Sequence, residues 1–387
     1  MIPFRLAIYY GTSFLVMGIH LPFWPIWLES RGLTAEQIGA VIASGFVMKV
    51  LANPIVAHQA DRRGERKRII AVLMILSLCS FLLFSLTGSF WSILLVNGLF
   101  LLFWSPAIPL MESLTLQGSM QLGFDYGRVR LWGSVTFILA AVGIGYGLRR
   151  GPADMIFVAI ALTITLTCIS AWWLPDIRTA PSNPSQLTVR VVAKDRRFLI
   201  FLLAAALLQS SHAVFYGFGT LHWRQAGIGS DIIGGLWAEG VIVEIVVFIF
   251  GARILRRVGP ARLMALAGLA AAVRWTGTGL TTALPALVLL QALHGLTFGG
   301  AHLGAMYFIQ SRIAPDLSAT AQSLYSGVVM GIGMGATALF SGHLYGLYGG
   351  AAFFPMAVMG GAGGLIIFQL RRRHLSTSSQ QNGPPAG

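Results

Sequence analysis

Charge is what this sequence has least of. Lys, Arg, Asp and Glu supply 10% of its 387 residues and hydrophobic residues 56%, whereas soluble domains carry roughly 25% charged residues. No soluble fold hides that much apolar surface. Acidic residues are scarcer still, 13 against 27 basic ones, for a net charge of +14. Phosphate binding would need those basic residues on one face, but they fall in alternate loops, so no nucleic-acid partner is expected. Cysteine is nearly absent: Cys79 and Cys168 lie in apolar runs without partner spacing, which excludes a disulfide framework and leaves two small buried hydrophobes. Metal-ligand clusters, nucleophile motifs and soluble domains of useful size are also missing. A membrane enzyme or a sensor is therefore set aside, and no cofactor is expected beyond a proton gradient as driving force.

What the sequence does have is apolar runs of roughly 20 residues, the length a helix needs to cross a ~30 Å hydrocarbon core. About twelve spans are expected, near 6–28, 36–57, 69–87, 90–111, 128–148, 153–175, 198–222, 232–252, 263–282, 285–309, 319–345 and 351–370. Basic residues gather in every second connection, including Arg62 to Arg68, Arg128 and Arg130, Arg178 to Arg197, and Arg253 to Arg262. Only Arg31, Arg149, Arg150 and Arg224 fall on the other side. This bias places both termini in the cytoplasm. The first span, which follows Arg5 and contains Pro22 and Pro25, is long and has no small-residue cleavage site after it, so it reads as a retained helix interrupted by its prolines. Trp24 and Trp27 at its far end read as an interfacial belt or as a cavity lining.

The stretch 176–197 is hydrophilic and holds Pro181 and Pro184, which marks a cytoplasmic linker between two six-helix bundles, 1–175 and 198–371. A Ser/Gln/Gly/Pro-rich tail, 372–387, is expected to be disordered. The expected fold is thus all-α, in two halves. The basic run 61–68 after the second span has a counterpart at 251–262 after the eighth, and such duplication is the organisation of carriers whose halves rock about a midplane site. A monomer embedded in the bilayer of the inner membrane is expected.

Ionisable residues inside spans cost roughly 2.5–3.5 kcal/mol or more each, so each is a candidate for function. Glu112 closes the fourth expected span and Arg130 opens the fifth. Glu239 and Glu244 lie in the eighth, Arg274 in the ninth, His294 and His302 in the tenth, and Lys49 in the second. Glu239 and Glu244 are five residues apart, about 140° round a helix, so they do not both face one point, and Glu244, deeper from the outer membrane face, is favoured as the buried carboxylate. His294 and His302 are about 80° apart and can border one cavity. The glycines Gly295, Gly299, Gly300 and Gly304 allow close packing or a bend there. A carboxylate, an arginine and a histidine on consecutive helices suit a proton relay, the alternative being a static Glu244–Arg274 pair. Glu112 and Arg130 suit a solute site or a pinned loop; Arg130 offers a planar fork of donors and Phe137, two turns on, a ring for stacking. His212 and Tyr216, one turn apart, are further solute-site candidates or a packing pair.

The run Asp61-Arg62-x-Gly64-x-Arg66-Lys67 resembles the loop motif of the major facilitator superfamily, in which Asp, Arg and Gly brace a cytoplasmic gate. Ala57 replaces that family's leading Gly, and Glu65 replaces the first basic residue after Gly64. Gly64 permits a tight turn and Asp61 can pair with arginine, so Asp61, Arg62, Gly64 and Arg66 are the gating candidates. The order Glu112, Arg130, Phe137, Arg274, His294 resembles the acid, arginine, aromatic, ninth-helix arginine and tenth-helix histidine of lactose permease. Thr297 stands where that carrier has the tenth-helix carboxylate that carries its proton, so the resemblance implies a proton carried elsewhere here, by Glu244 first and Glu239 second. Longer runs, among them L-P-F-W-P-I-W-L at 21–28, F-D-Y-G-R-V-R-L-W-G-S at 124–134 and H-G-L-T-F-G-G-A-H-L at 294–303, resemble the bacterial 3-phenylpropionic acid permease group. That resemblance implies proton-coupled import of a small solute, an aromatic carboxylate first and a sugar or nucleoside second. A drug-type antiporter is disfavoured, because the fifth span lacks the Gly-Pro motif common in such exporters.

Overall fold

The computed structural model of the protein describes residues 1–178, 194–313 and 317–381. Among these residues there are helices and short 3-10 and π turns, and no strand. The spanning elements are α1 (Ile2–Ser30), α2 (Ala35–Arg63), α3 (Arg66–Leu86), α4 (Phe90–Leu122), α5 (Tyr126–Gly147), α6 (Asp154–Trp172), α7 (Arg196–Gln225), α8 (Ser230–Val258), α9 (Pro260–Leu280) and α10 (Leu284–Arg312). One further apolar stretch, Thr320–Leu370, is 51 residues long, about 75 Å at 1.5 Å per residue, more than twice a bilayer core. It breaks at Gly349, whose φ of 53° is left-handed, into α11 (318–348) and α12 (Phe353–Gln381). Twelve long helices result among the described residues.

Several ends differ from the sequence expectation. α2 runs on to Arg63, so Asp61 and Arg62 are helical, and Gly64 (φ 64°) closes the helix in the left-handed region that favours glycine. α4 extends ten residues past Glu112, with a local break at Ser105 and Pro106. α1 passes through Pro22 and Pro25 without ending, because neighbouring helices and local adjustment re-satisfy the freed carbonyls in a membrane bundle. Trp24 and Trp27 form no belt. They are 2% and 1% exposed, stack at 4.4 Å, and meet Phe84 edge-on. Trp27 also donates to Asp154 at 3.2 Å. Most of the linker stretch 176–197 and the last residues of the 372–387 tail lie outside the described residues; α12 itself continues to Gln381.

Contacts gather the chain into two compact units: Met1–Pro184 with Val214–Val241 and Gly335–Gly349, and Ser185–Ala213 with Ile242–Met334 and Gly350–Gly387. Helices α7, α8 and α11 each contribute residues to both units. Small residues explain the first unit. A Cβ on Gly39 of α2 would stand 2.7 Å from the backbone of Gly342 in α11, and a Cβ on Gly234 of α8 would stand 2.3 Å from the Ala141 carbonyl of α5. Backbones this close exclude any side chain between them. Arg149–Asp231 and Arg224–Glu29 ion pairs and a His343–Glu36 hydrogen bond flank these contacts.

Inside each unit the same packing recurs: α1 and α3 lie on α6, and α7 and α9 lie on α12. The α9–α12 contact is again glycine on glycine, with a Cβ on Gly268 only 2.5 Å from Gly364. Gly268→Ala should therefore lower the thermal unfolding midpoint of the purified protein, an overpacking cost of about 1–3 kcal/mol. Gly361→Ala serves as the control, since its Cβ would meet Ala272 at an ordinary 3.6 Å. Equal midpoints for the two variants would refute the close approach.

Candidate functional site

The second unit holds a polar cluster built on one arginine. Arg274, on the inner face of α9, is fully buried. Its Nη1 donates to His294 Nδ1 at 2.9 Å and to Thr297 Oγ1 at 3.0 Å, and its Nη2 donates to Gln291 Oε1 at 2.5 Å. All three acceptors come from α10, at spacings of three that put them on one face. The guanidinium also lies 4.3 Å from the Trp275 ring, and Trp275 donates to Ser211 at 3.1 Å.

Hydrogen-bond chemistry assigns the histidine tautomers. Arginine has no acceptor, so His294 Nδ1 must accept from it, which puts the ring proton on Nε2. That nitrogen faces Glu244 Oε2 of α8 at 3.9 Å. His212 Nδ1 meets the Gln209 carbonyl at 3.1 Å and can only donate to it; His212 Nε2 then accepts from Thr297 Oγ1 at 3.2 Å. His294 stacks on Phe298 at 5.6 Å with ring planes 4° apart. The glycines of α10 make room for this. The stretch Gly295–Gly300 is π-helical, a Cβ on Gly295 would lie 2.7 Å from Val243 of α8, and one on Gly299 would lie 3.3 Å from Glu244 Cγ.

Several sequence candidates meet here and others do not. Glu244, Arg274 and His294 are joined, with His294 standing between the acid and the arginine. His212 belongs to the same cluster, whereas Tyr216 lies beyond a turn in α7, in the first unit, with its ring 6.2 Å from Trp237. Glu239 also falls in the first unit and Glu244 in the second. His302 follows on α10 beyond the π-helical stretch Gly295–Gly300. Its ring lies 6.1 Å from Tyr325 of α11. Gln291 is not among the sequence candidates; its place three residues before His294, on the same face of α10, is the signal that points to it.

The first unit holds the second constellation. Arg130 Nε lies 3.2 Å from Glu112 Oε1, and the Tyr126 hydroxyl donates to Glu112 Oε2. The pair is partly open, with the Arg130 and Glu112 side chains 37% and 26% exposed. The ring over which the Arg130 guanidinium sits, at 5.2 Å, is Phe14 of α1 rather than Phe137. Phe137 is buried two turns further along α5, where its backbone lies against Gly18. Neither acid nor arginine brackets a loop, since α4 continues to Leu122 and Arg130 lies inside α5. Tyr126, one turn before Arg130, and Phe14 were the residues missed.

Asp61, Gly64 and Arg66 act together at the α2–α3 turn. Arg66 Nη2 pairs with Asp61 at 2.7 Å and its Nε donates to Ser113 Oγ of α4 at 3.0 Å, with Arg66 itself buried. Arg62 instead lines an open groove along α2 with His58 and Arg63. Glu65, the departure from the family motif, pairs with Arg178 at 3.3 Å.

The chain matches the MFS_1 like family over residues 4–356. It is 33% identical over 363 residues to the "Probable 3-phenylpropionic acid transporter" of Escherichia coli, covering 92% of this chain and 94% of that one. It is 24% identical over 387 residues to the maltose permease of Geobacillus stearothermophilus, covering 97% and 96%. Among solved structures, a point mutant of the nucleoside transporter NupG superposes with a TM-score of 0.87 at 17% identity, covering 96% of this chain and all of that one. The fold and these relatives are those of transporters, not enzymes, and they describe a multi-pass inner-membrane protein that carries small molecules. The chain belongs to the MFS_1 like family and is a secondary transporter of the major facilitator type.

Proposed function

We propose that this transporter imports a small carboxylated solute together with protons, an aromatic acid of the 3-phenylpropionate kind being the first candidate. The observation that carries the coupling is the Arg274–His294–Glu244 chain. Arg274 is charged at any working pH, so the buried cluster is close to neutral only while Glu244 is ionised. Protonating Glu244 leaves the arginine uncompensated, a state whose cost depends on water access, and this links proton occupancy to conformation. His294 presents its Nε2 proton to Glu244 and so gives the ionised acid a donor.

For the solute, Arg130 supplies a guanidinium fork and Tyr126 a hydroxyl, and Phe14 supplies an aromatic face beside them. An incoming carboxylate would compete with Glu112 for Arg130, and a phenyl ring would stack near Phe14. The named relative supports an aromatic acid. The sugar and nucleoside carriers among the relatives and structural neighbours support the second reading, a polar hydroxylated solute held by the same pair. Both termini on the cytoplasmic side follow from the basic loops, and the transporter is taken to work as a monomer.

Arg274→Lys is expected to cut accumulation by at least about tenfold while leaving insertion intact, because a point charge cannot serve three acceptors of fixed geometry. Wild-type uptake from that variant would remove Arg274 from the mechanism. Glu244→Gln, which mimics the protonated acid, should abolish uphill uptake driven by an imposed pH gradient yet preserve solute exchange in vesicles; intact gradient-driven uptake would exclude Glu244 as proton carrier. Arg130→Lys should raise the half-saturation concentration about tenfold or more for 3-phenylpropionate. A panel of labelled 3-phenylpropionate, a disaccharide and a nucleoside then decides the solute class, and uptake of the neutral compounds alone would overturn the carboxylate reading.

A further inference from the structure

At one end of the second unit, α7, α9, α10 and α12 leave a cavity of about 800 Å³ that none of the coupling residues touches. Four arginines line it: Arg196 and Arg197 from the first turn of α7, Arg262 from the first turn of α9, and Arg312 from the last turn of α10. Asp195 is the one acidic residue in the lining, and its carboxylate is engaged in capping α7, accepting from the Arg197 and Phe198 amides at 2.8 and 3.4 Å. Among the described residues no carboxylate pairs with any of the four arginines. The positive ends of two long helices, α7 after Asp195 and α9 after Gly259, open on the same space.

The rest of the wall is apolar. Phe198, Phe308, Ile367 and Leu370 line it, and Phe308 is held by stacking on Phe201 at 4.4 Å with Arg312 placed 5.9 Å from its ring. A site for a free inorganic anion needs donors on every side. This one offers guanidinium groups against a hydrocarbon wall, at the ends of spanning helices, which is the level of the lipid headgroups.

We propose that this cavity binds an anionic phospholipid, its phosphate held by Arg262, Arg312 and the α7 arginines and its glycerol and first acyl carbons lying along Phe308 and Ile367. Each arginine near an anionic headgroup contributes on the order of 1 kcal/mol, so two removed together should weaken binding roughly tenfold to thirtyfold.

The test uses the full-length protein in detergent. Its thermal unfolding midpoint is titrated with short-chain phosphatidylglycerol, with phosphatidylcholine of the same chain length, and with inorganic phosphate. Phosphatidylglycerol should raise the midpoint saturably and the other two should not. Arg262→Gln/Arg312→Gln should shift the half-effect concentration up by the stated factor, while Arg262→Lys/Arg312→Lys should stay within about threefold of wild type because lipid attraction is mainly a matter of charge. An equal response to the zwitterionic lipid would overturn the proposal. A full response to inorganic phosphate would make this a free-anion site and overturn the lipid assignment. If the glutamine variant does not fold, native mass spectrometry of the wild type in an equimolar lipid mixture decides, and the absence of preferential phosphatidylglycerol adducts refutes it.

Discussion

A guanidinium with no exposure to solvent is the constraint around which the second unit is arranged. Arg274 cannot shed its proton, and an ion buried without partners costs several kcal/mol. The chain meets that cost with three neutral acceptors on one face of α10, a tryptophan ring, and a carboxylate one histidine away. Each acceptor constrains something else. His294 can accept from Arg274 only with its proton on Nε2, which aims that proton at Glu244. Thr297, having accepted from Arg274, has a single proton left to give, and the tautomer of His212 supplies a ring nitrogen to receive it. The glycines Gly295 and Gly299 are the counterpart on the backbone side, because α8 must come close enough for Glu244 to reach the cluster.

The first unit makes a comparable arrangement in a more open setting. Glu112 and Ser113 are consecutive on α4: the one faces Arg130 and Tyr126, the other holds Arg66 of the α2–α3 turn. A displacement of α4 by a solute at Glu112 would therefore be felt at the Asp61–Arg66 pair without any long pathway. Glu65 adds a contact that the family motif lacks, tying the turn to Arg178 just after α6. The replacement at Glu65 thus puts an ion pair to the chain leaving α6 in place of one more basic residue.

The helices were legible because lipid forces the backbone to satisfy itself within each span, so length and hydropathy alone mark them. Their ends were less legible: Asp61, Arg62 and the ten residues after Glu112 are polar enough to read as loop, yet they continue as helix beyond the expected span. Intramembrane charge likewise marked Glu244, Arg274 and His294, since an ion in a span is too costly to persist there without a role. Uncharged partners carry no such mark. Tyr126 and Phe14 were missed for that reason, Gln291 had only its spacing from His294 to point to it, and Phe137 was the ring named beside Arg130 because a single helix can be phased from sequence whereas the neighbour across a helix contact cannot. Trp24 and Trp27 look like a membrane belt by position alone, and only the packing of α1 against α3 shows them to be core.

Thr297 brings these threads to one point. At the position where lactose permease, by resemblance, has a carboxylate, a hydroxyl accepts from Arg274 at 3.0 Å. It satisfies a donor but carries no charge, so the countercharge for Arg274 must come from another helix. Glu244 on α8 is the acid within reach through His294. A countercharge on α10 would move with the histidine, as both belong to one helix. On α8 it belongs to a different helix from both Arg274 and His294, and α8 meets α10 at the close contact of Gly295 and Gly299. The distance from this acid to Arg274 is therefore set by how α8 packs against α9 and α10, and the proposed proton coupling rests on that dependence.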